Sequence, residues 1–216
     1  MRFAKWLGLL VLFAARDAPA YGGGREPQIC DESHLTADVP RPRVAHWATA
    51  LDPIEVRHVA TRENARLRLY AEDGTIDAGA REAFNRIASG YDDPIHPLST
   101  RLEQLVMKAA YHFRGASVLV VSGWRDGAAR HGTGEAIDFK LGGVRASELA
   151  AYLRRMPRVG VGVYTHPRTQ FVHLDVREPS YHWIDASPPG VKWREARLRD
   201  SASTVDASWT PEMDLP

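Results

Sequence analysis

His131-Gly132-Thr133-Gly134-Glu135-Ala136-Ile137-Asp138-Phe139 and Phe171-Val172-His173-Leu174-Asp175-Val176 are the stretches whose reading decides the fold of this chain. Successive side chains of a strand point to opposite faces, so Ile137 and Phe139 share an apolar face while Ala136 and Asp138 take the other. In the second stretch Val172, Leu174 and Val176 lie on one face, and Phe171, His173 and Asp175 on the opposite one. Both segments are therefore expected to be core strands that carry acid or imidazole on a single side.

Working outward, Val159 to Tyr164 is expected to pair with Phe171 to Val176, and a β-branched run from Ser117 to Val121 reads as a strand feeding the loop Ser122-Gly123-Trp124-Arg125. Upstream, alternation at Ile54, Val56, His58 and Ala60, then at Ala65, Leu67 and Leu69, predicts a hairpin turning through Thr61 to Asn64. Asp77 is the expected N-cap of a helix burying Ala80, Ala83, Phe84 and Ile87. Thr100 with Glu103 has capping-box spacing, ahead of a helix burying Leu102, Leu105, Val106, Ala109 and Phe113. Leu149, Tyr152, Leu153 and Met156 mark a third helix. Strands and helices in this mixed order, with hairpins at both ends, favour an α+β fold over a doubly wound sheet.

The ends read differently. Arg2 and Lys5 precede an apolar run from Trp6 to Ala15, and Ala18-Pro19-Ala20 offers a small-x-small cleavage site, the order of a secretory signal peptide. The run is about half the twenty apolar residues that a membrane helix needs, so no stable membrane insertion is expected after cleavage. Residues 1–20 are accordingly expected to be a signal peptide and 21–45 a Gly- and Pro-rich linker. Residues 46–188 are then a single domain, and 189–216 an extended tail pinned by a tryptophan.

Lys and Arg total 28 against 27 Asp and Glu, a formal net charge of +1 that gives no footing for a nucleic-acid partner. The lone Cys30 cannot form an internal disulfide, and its distance from the apolar run argues against a lipid-modified N-terminus. No coiled-coil seam is visible, and a monomer is expected.

A catalytic zinc site takes three protein ligands and leaves a fourth position open, a count that His131, Asp138 and His173 fill. Gly132 and Gly134 let the backbone turn between His131 and the strand, so that a loop imidazole and a strand carboxylate converge. A lone strand histidine is more often structural than a ligand; the ordered combination is what points to metal. Asp175, on the same face as His173, is the expected general base, with orientation of a ligand as its alternative role. Trp183 reads as packing, and His34, His46, His58, His96 and His112 show no ligand spacing.

His131 to Asp138 fits H-x-x-G-x-A-x-D, and Ser122-Gly123-Trp124-Arg125 fits S-G-[YW]-R. With Val161-Gly162-Val163-Tyr164 and Phe171 to Asp175, the chain resembles the zinc D-alanyl-D-alanine carboxypeptidases and murein endopeptidases that share a fold with the hedgehog signalling domain. The likeness runs from about Ile54 to Trp183. It implies a small, mixed, mainly antiparallel sheet with helices packed on one face, a zinc ion on His131, Asp138 and His173, and Arg125 gripping a substrate carboxylate. His182, ahead of Trp183 where relatives also carry a basic residue and Trp, becomes a candidate for substrate contact. Only Asp126 to Arg130 separate Arg125 from His131, where relatives carry a longer segment, and Ala129 replaces a serine.

The function so implied is zinc-dependent hydrolysis of amide bonds in peptidoglycan stem peptides or cross-links, in the periplasm or cell wall. The alternative is a non-catalytic, zinc-stabilised module that binds the wall.

Overall fold

The computed structural model describes residues 44–92, 94–191, 196–199 and 202–216. The expected signal peptide, all but the end of the expected linker, and Cys30 and Trp193 lie outside them. Ala45 closes that linker stretch and is docked on the domain through its N–H to Glu72 O, 2.8 Å.

Alternation builds the first hairpin as expected. β1 (Ile54–His58) pairs antiparallel with β2 (Asn64–Leu67), Ile54 opposite Leu67. A short α1 (His46–Thr49) precedes them. α2 (Ala78–Ser89) starts where Asp77 accepts a hydrogen bond from Ala80 N at 2.7 Å, the cap expected from the sequence.

α3 (Thr100–His112) differs from the reading by one residue: Ser99 is its N-cap, and its Oγ accepts from Leu102 N at 3.3 Å. Glu103 does not close a capping box, because its carboxylate is buried against the Arg81 guanidinium 3.0 Å away. A carboxylate buried in the core needs its charged partner, whereas water can satisfy a backbone N–H at a helix N-terminus.

β3 (Val118–Ser122), β4 (Ala136–Leu141), α4 (Ala146–Leu153), β5 (Val159–Tyr164) and β6 (Val172–Val176) follow, and then two strands that the sequence reading left out, β7 (Tyr181–Asp185) and β8 (Ala196–Arg197). Among the described residues the sheet runs β2-β1-β3-β4-β6-β5-β7-β8. Only β1 with β3 and β5 with β7 are parallel; every other neighbour is antiparallel. The fold is thus α+β with a mostly antiparallel open sheet.

One face of that sheet is greasy. Val56, Val118, Val120, Ile137, Phe139, Val159, Val161, Val172 and Leu174 pack with Phe84, Ile87, Leu102, Leu105, Val106 and Leu149 from α2, α3 and α4. Burying one such large side chain stabilises a fold by about 1.5–3 kcal/mol, so these helices are committed to this face. The alternate residues Asp138, His173 and Asp175 emerge on the other side, which is where the polar chemistry collects.

The C-terminal segment is not an extended tail. α5 (Ala202–Ala207) and a 3-10 helix (Pro211–Asp214) fold back onto the domain. Asp206 accepts from the N–H of both Arg158 and Ser180, and Arg101 pairs with Asp214 at 2.8 Å. Trp209 lies beneath the guanidinium groups of Arg101 and Arg158, which is the tryptophan pin expected of this stretch. No helix among the described residues is long and apolar enough to cross a membrane.

Candidate metal centre

Asp138 and His173 sit opposite each other in the register of the central pair β4 and β6. Directly opposed side chains in an antiparallel pair lie about 4.5–5.5 Å apart at Cβ, close enough for their polar ends to meet. They meet at 2.9 Å, Asp138 Oδ1 to His173 Nδ1.

His131 comes from the loop between β3 and β4. Its Nε2 is 3.3 Å from His173 Nδ1 and 3.6 Å from Asp138 Oδ1. All three residues are buried, and their ligand atoms cluster tightly enough to hold a metal ion.

The loop is braced on both sides. Gly123 lies so close to α2 that a Cβ there would stand 2.4 Å from Ala88 O. Gly134 has φ +70° and leaves Pro97 O where a Cβ would be only 2.2 Å away, so both its conformation and its space demand glycine. Pro97 belongs to a segment fixed by α2, with Leu98 N donating to Asn85 Oδ1 at 2.8 Å and His96 N to Ser89 Oγ at 2.9 Å. His96, which shows no ligand spacing in the sequence, stacks on Trp124 at 3.6 Å between centroids. Trp124 Nε1 in turn donates to Gly132 O.

Hydrogen bonds assign the ring nitrogens. His131 Nδ1 is 2.5 Å from Gly123 O, and a carbonyl can only accept, so Nδ1 carries the proton and Nε2 offers its lone pair to the cluster. His173 Nε2 is 2.9 Å from Asp175 Oδ2, so the mirror assignment holds there and Nδ1 faces inward. Burial alone would lower the His173 pKa, but its hydrogen bonds to Asp138 and Asp175 prevail and push it up to about 9. Without a cation Nδ1 therefore carries a second proton, which a bound metal ion would displace. Burial works equally against ionising Asp138, yet its interactions with the His131 and His173 rings, whose facing nitrogens take up a proton while no cation sits between them, hold it below the usual carboxylate range.

Metal–nitrogen and metal–oxygen bonds of about 2.0–2.1 Å at tetrahedral angles separate ligand atoms by about 3.3–3.4 Å. The observed 2.9, 3.3 and 3.6 Å bracket that value. Two imidazole nitrogens and one carboxylate oxygen form a donor set that suits divalent transition-metal ions, zinc and iron(II) among them.

The other residues singled out in the sequence separate into those at the site and those turned from it. Arg125 is at the rim, its Nη2 3.2 Å from Asp138 Oδ2 and its side chain half exposed. Asp175 is wholly buried behind His173, with Arg177 Nε and Nη2 on its two oxygens and Arg130 Nε 3.5 Å from Oδ1. Burial disfavours its charge, but the hydrogen bonds from His173 and Arg177 hold its pKa below the ordinary value.

His182 is buried on β7 opposite Val161, whose side chain faces the helices. Strand alternation therefore turns His182 away from the cluster, against the expectation that it meets substrate, and it is Trp183 that faces the site. Trp183 lies 5.1 Å from the His173 ring and walls, with Tyr164, Tyr181, Arg125 and Arg177, a cavity of about 330 Å³ above the two histidines. That cavity adjoins a larger one of about 610 Å³ through Arg125 and Tyr164, which border both.

Gly160 and Gly162 were not read as site residues. On β5 they alternate with Val159, Val161 and Val163, and the glycines take the polar face. A Cβ on Gly160 would stand 2.2 Å from Asp175 Oδ2, and one on Gly162 2.2 Å from Trp183 Cε2. Val-Gly-Val-Gly-Val inside a strand is a legible signal of close approach over one face. No protein-family model, no curated protein and no solved structure matches the chain.

Proposed function

We propose that this chain is an exported zinc peptidase of the bacterial cell wall, built on the hedgehog and DD-peptidase type of fold, that hydrolyses amide bonds in peptidoglycan stem peptides or cross-links. The observation that carries the reading is the triangle of His131 Nε2, Asp138 Oδ1 and His173 Nδ1, with sides of 2.9, 3.3 and 3.6 Å, beneath an open cavity. When bound, zinc supplies Lewis-acid polarisation of the scissile carbonyl and a water-derived nucleophile at neutral pH. Arg125 offers its half-exposed fork to a substrate carboxylate while its contact with Asp138 fixes the approach. Tyr164, Tyr181 and Trp183 shield one side of the site from solvent.

A specific observation also favours the non-catalytic reading, a zinc-stabilised wall-binding module. The described residues lining the cavity include no carboxylate, and no imidazole besides His131 and His173. Asp175, the residue expected to be the base, is sealed behind His173, which gives it an orienting position instead. A proton acceptor for hydrolysis must reach the reacting group directly or through one water.

Incubation of the zinc-loaded protein with purified murein sacculi, with and without chelator, separates the two. Release of muropeptides, identified by mass and abolished by chelation, is the expected outcome. Sacculus binding without any released fragment would replace the peptidase by the module.

A further inference from the structure

We propose that Arg177 is a positioning residue of the metal centre, holding Asp175 in the one orientation that makes His173 present Nδ1 to His131 and Asp138. The inference rests on reading the triad as a metal centre.

Asp175 has no exposure to solvent, so protein groups must supply everything its carboxylate needs. Arg177 supplies most of it: Nε donates to Oδ1 and Nη2 to Oδ2, each at 2.5 Å. Such a fork fixes the carboxylate plane, which a single-point contact leaves free to rotate. Oδ2, so fixed, accepts from His173 Nε2 at 2.9 Å and determines which nitrogen of that ring turns inward.

Arg177 is itself held in place. Its backbone N–H donates to Arg158 O at 3.1 Å, and its guanidinium lies 5.5 Å from the Tyr181 ring centroid and 5.8 Å from that of Trp183. Gly160 completes the arrangement, because a Cβ there would stand 2.5 Å from Arg177 Nε as well as 2.2 Å from Asp175 Oδ2. The Arg177–Asp175 pair therefore lies flat over bare backbone. Arg177 lines the cavity, yet two of its three nitrogens are engaged by Asp175, so its principal task is behind the ligand rather than on the substrate.

The test is zinc affinity of the full chain, measured by competition with a chromophoric chelator. Arg177→Gln should bind zinc about ten- to a hundredfold more weakly, and Arg177→Lys should recover part of that loss. An Arg177→Gln, Asp175→Asn double variant should be no weaker than Asp175→Asn alone, because the arginine acts through the acid. Circular dichroism of the chelated proteins checks that each variant folds. If Arg177→Gln does not fold, ¹⁵N imidazole spectra of the zinc-loaded wild type and of Arg177→Lys decide. The wild type should show a protonated His173 Nε2, with that signal weakened or shifted in the lysine variant. Unchanged spectra, an Arg177→Gln affinity within twofold of wild type, or additive losses in the double variant would overturn the proposal. Wild-type protein that takes up no zinc would instead sink the metal centre itself, and the positioning role with it.

Discussion

Asp138 and His173 are register partners on β4 and β6, and their Oδ1 and Nδ1 atoms lie 2.9 Å apart. Two of the three candidate ligand atoms are thus set by the sheet itself, and only His131 depends on a loop. Metal bound only by the folded state adds RT ln(1 + [L]/Kd) to stability, about 2.7 kcal/mol at a hundredfold excess over Kd. For a domain of this size that is a rise in Tm of roughly 5–11 °C. His131→Ala, Asp138→Ala and His173→Ala should each lose that increment and its sensitivity to chelator, as read by calorimetry with and without chelator. Stoichiometric zinc in the His131→Ala, His173→Ala double variant would refute the ligand set.

Gly162 carries a second expectation. Its absent side chain is filled by the Trp183 indole, and an added Cβ would stand 2.2 Å from Cε2 of a ring that is nearly buried and packed toward His173. Gly162→Ala should destabilise the domain by on the order of 1–3 kcal/mol, the usual cost of overpacking. It should also weaken zinc binding, since the displaced indole moves against a ligand. A variant with unchanged Tm and zinc affinity would show that Trp183 can move aside freely.

Much of this was legible in the sequence, for an identifiable reason. Strand period alone sent Ile137 and Phe139 inward and Asp138 outward, and glycines around Thr133 announced the turn that delivers His131. What was missed depends on partners distant in the chain. Tyr181 to Asp185 has no assignment from the sequence because only pairing with β5 makes it a strand, and with β7 unrecognised its alternation could not be used to turn His182 away. Asp175 looked like a base because it shares a face with His173. Nothing in H-x-D spacing shows that Arg177 and Arg130 would close over it. The C-terminal stretch looked unpatterned because it is held by Asp206, Trp209 and Asp214 against residues up to 113 positions away.

A third expectation concerns Asp175→Asn. The amide keeps the shape, but it cannot accept from His173 and from both Arg177 nitrogens as a carboxylate does. Zinc affinity should fall about ten- to a hundredfold, and any activity on sacculi should return at saturating zinc. A hundredfold loss of turnover that excess zinc does not restore would reinstate Asp175 as the base.

The last expectation is a pH dependence set by Glu103 on α3, which is none of the three candidate ligands. Burial raises its pKa from 4.5 to about 7, although the Arg81 guanidinium and its hydrogen bond pull the other way. Between those two values the folded chain binds more protons at Glu103 than the unfolded chain does. Stability from this group is therefore fully present below about pH 4.5 and is lost as pH rises to about 7, a change on the order of 3 kcal/mol. Asp138, Asp175 and Asp206, whose folded pKa values are lowered, act in the opposite sense, their stabilisation being lost as pH falls through their folded values. Comparison with Glu103→Gln isolates the single group, because the other carboxylates are common to both proteins. The stability of the glutamine variant relative to wild type should rise between pH 5 and 7.5 in urea melts of the chelated proteins, which removes any contribution from metal. A constant difference across that range would show that Arg81 keeps Glu103 ionised throughout.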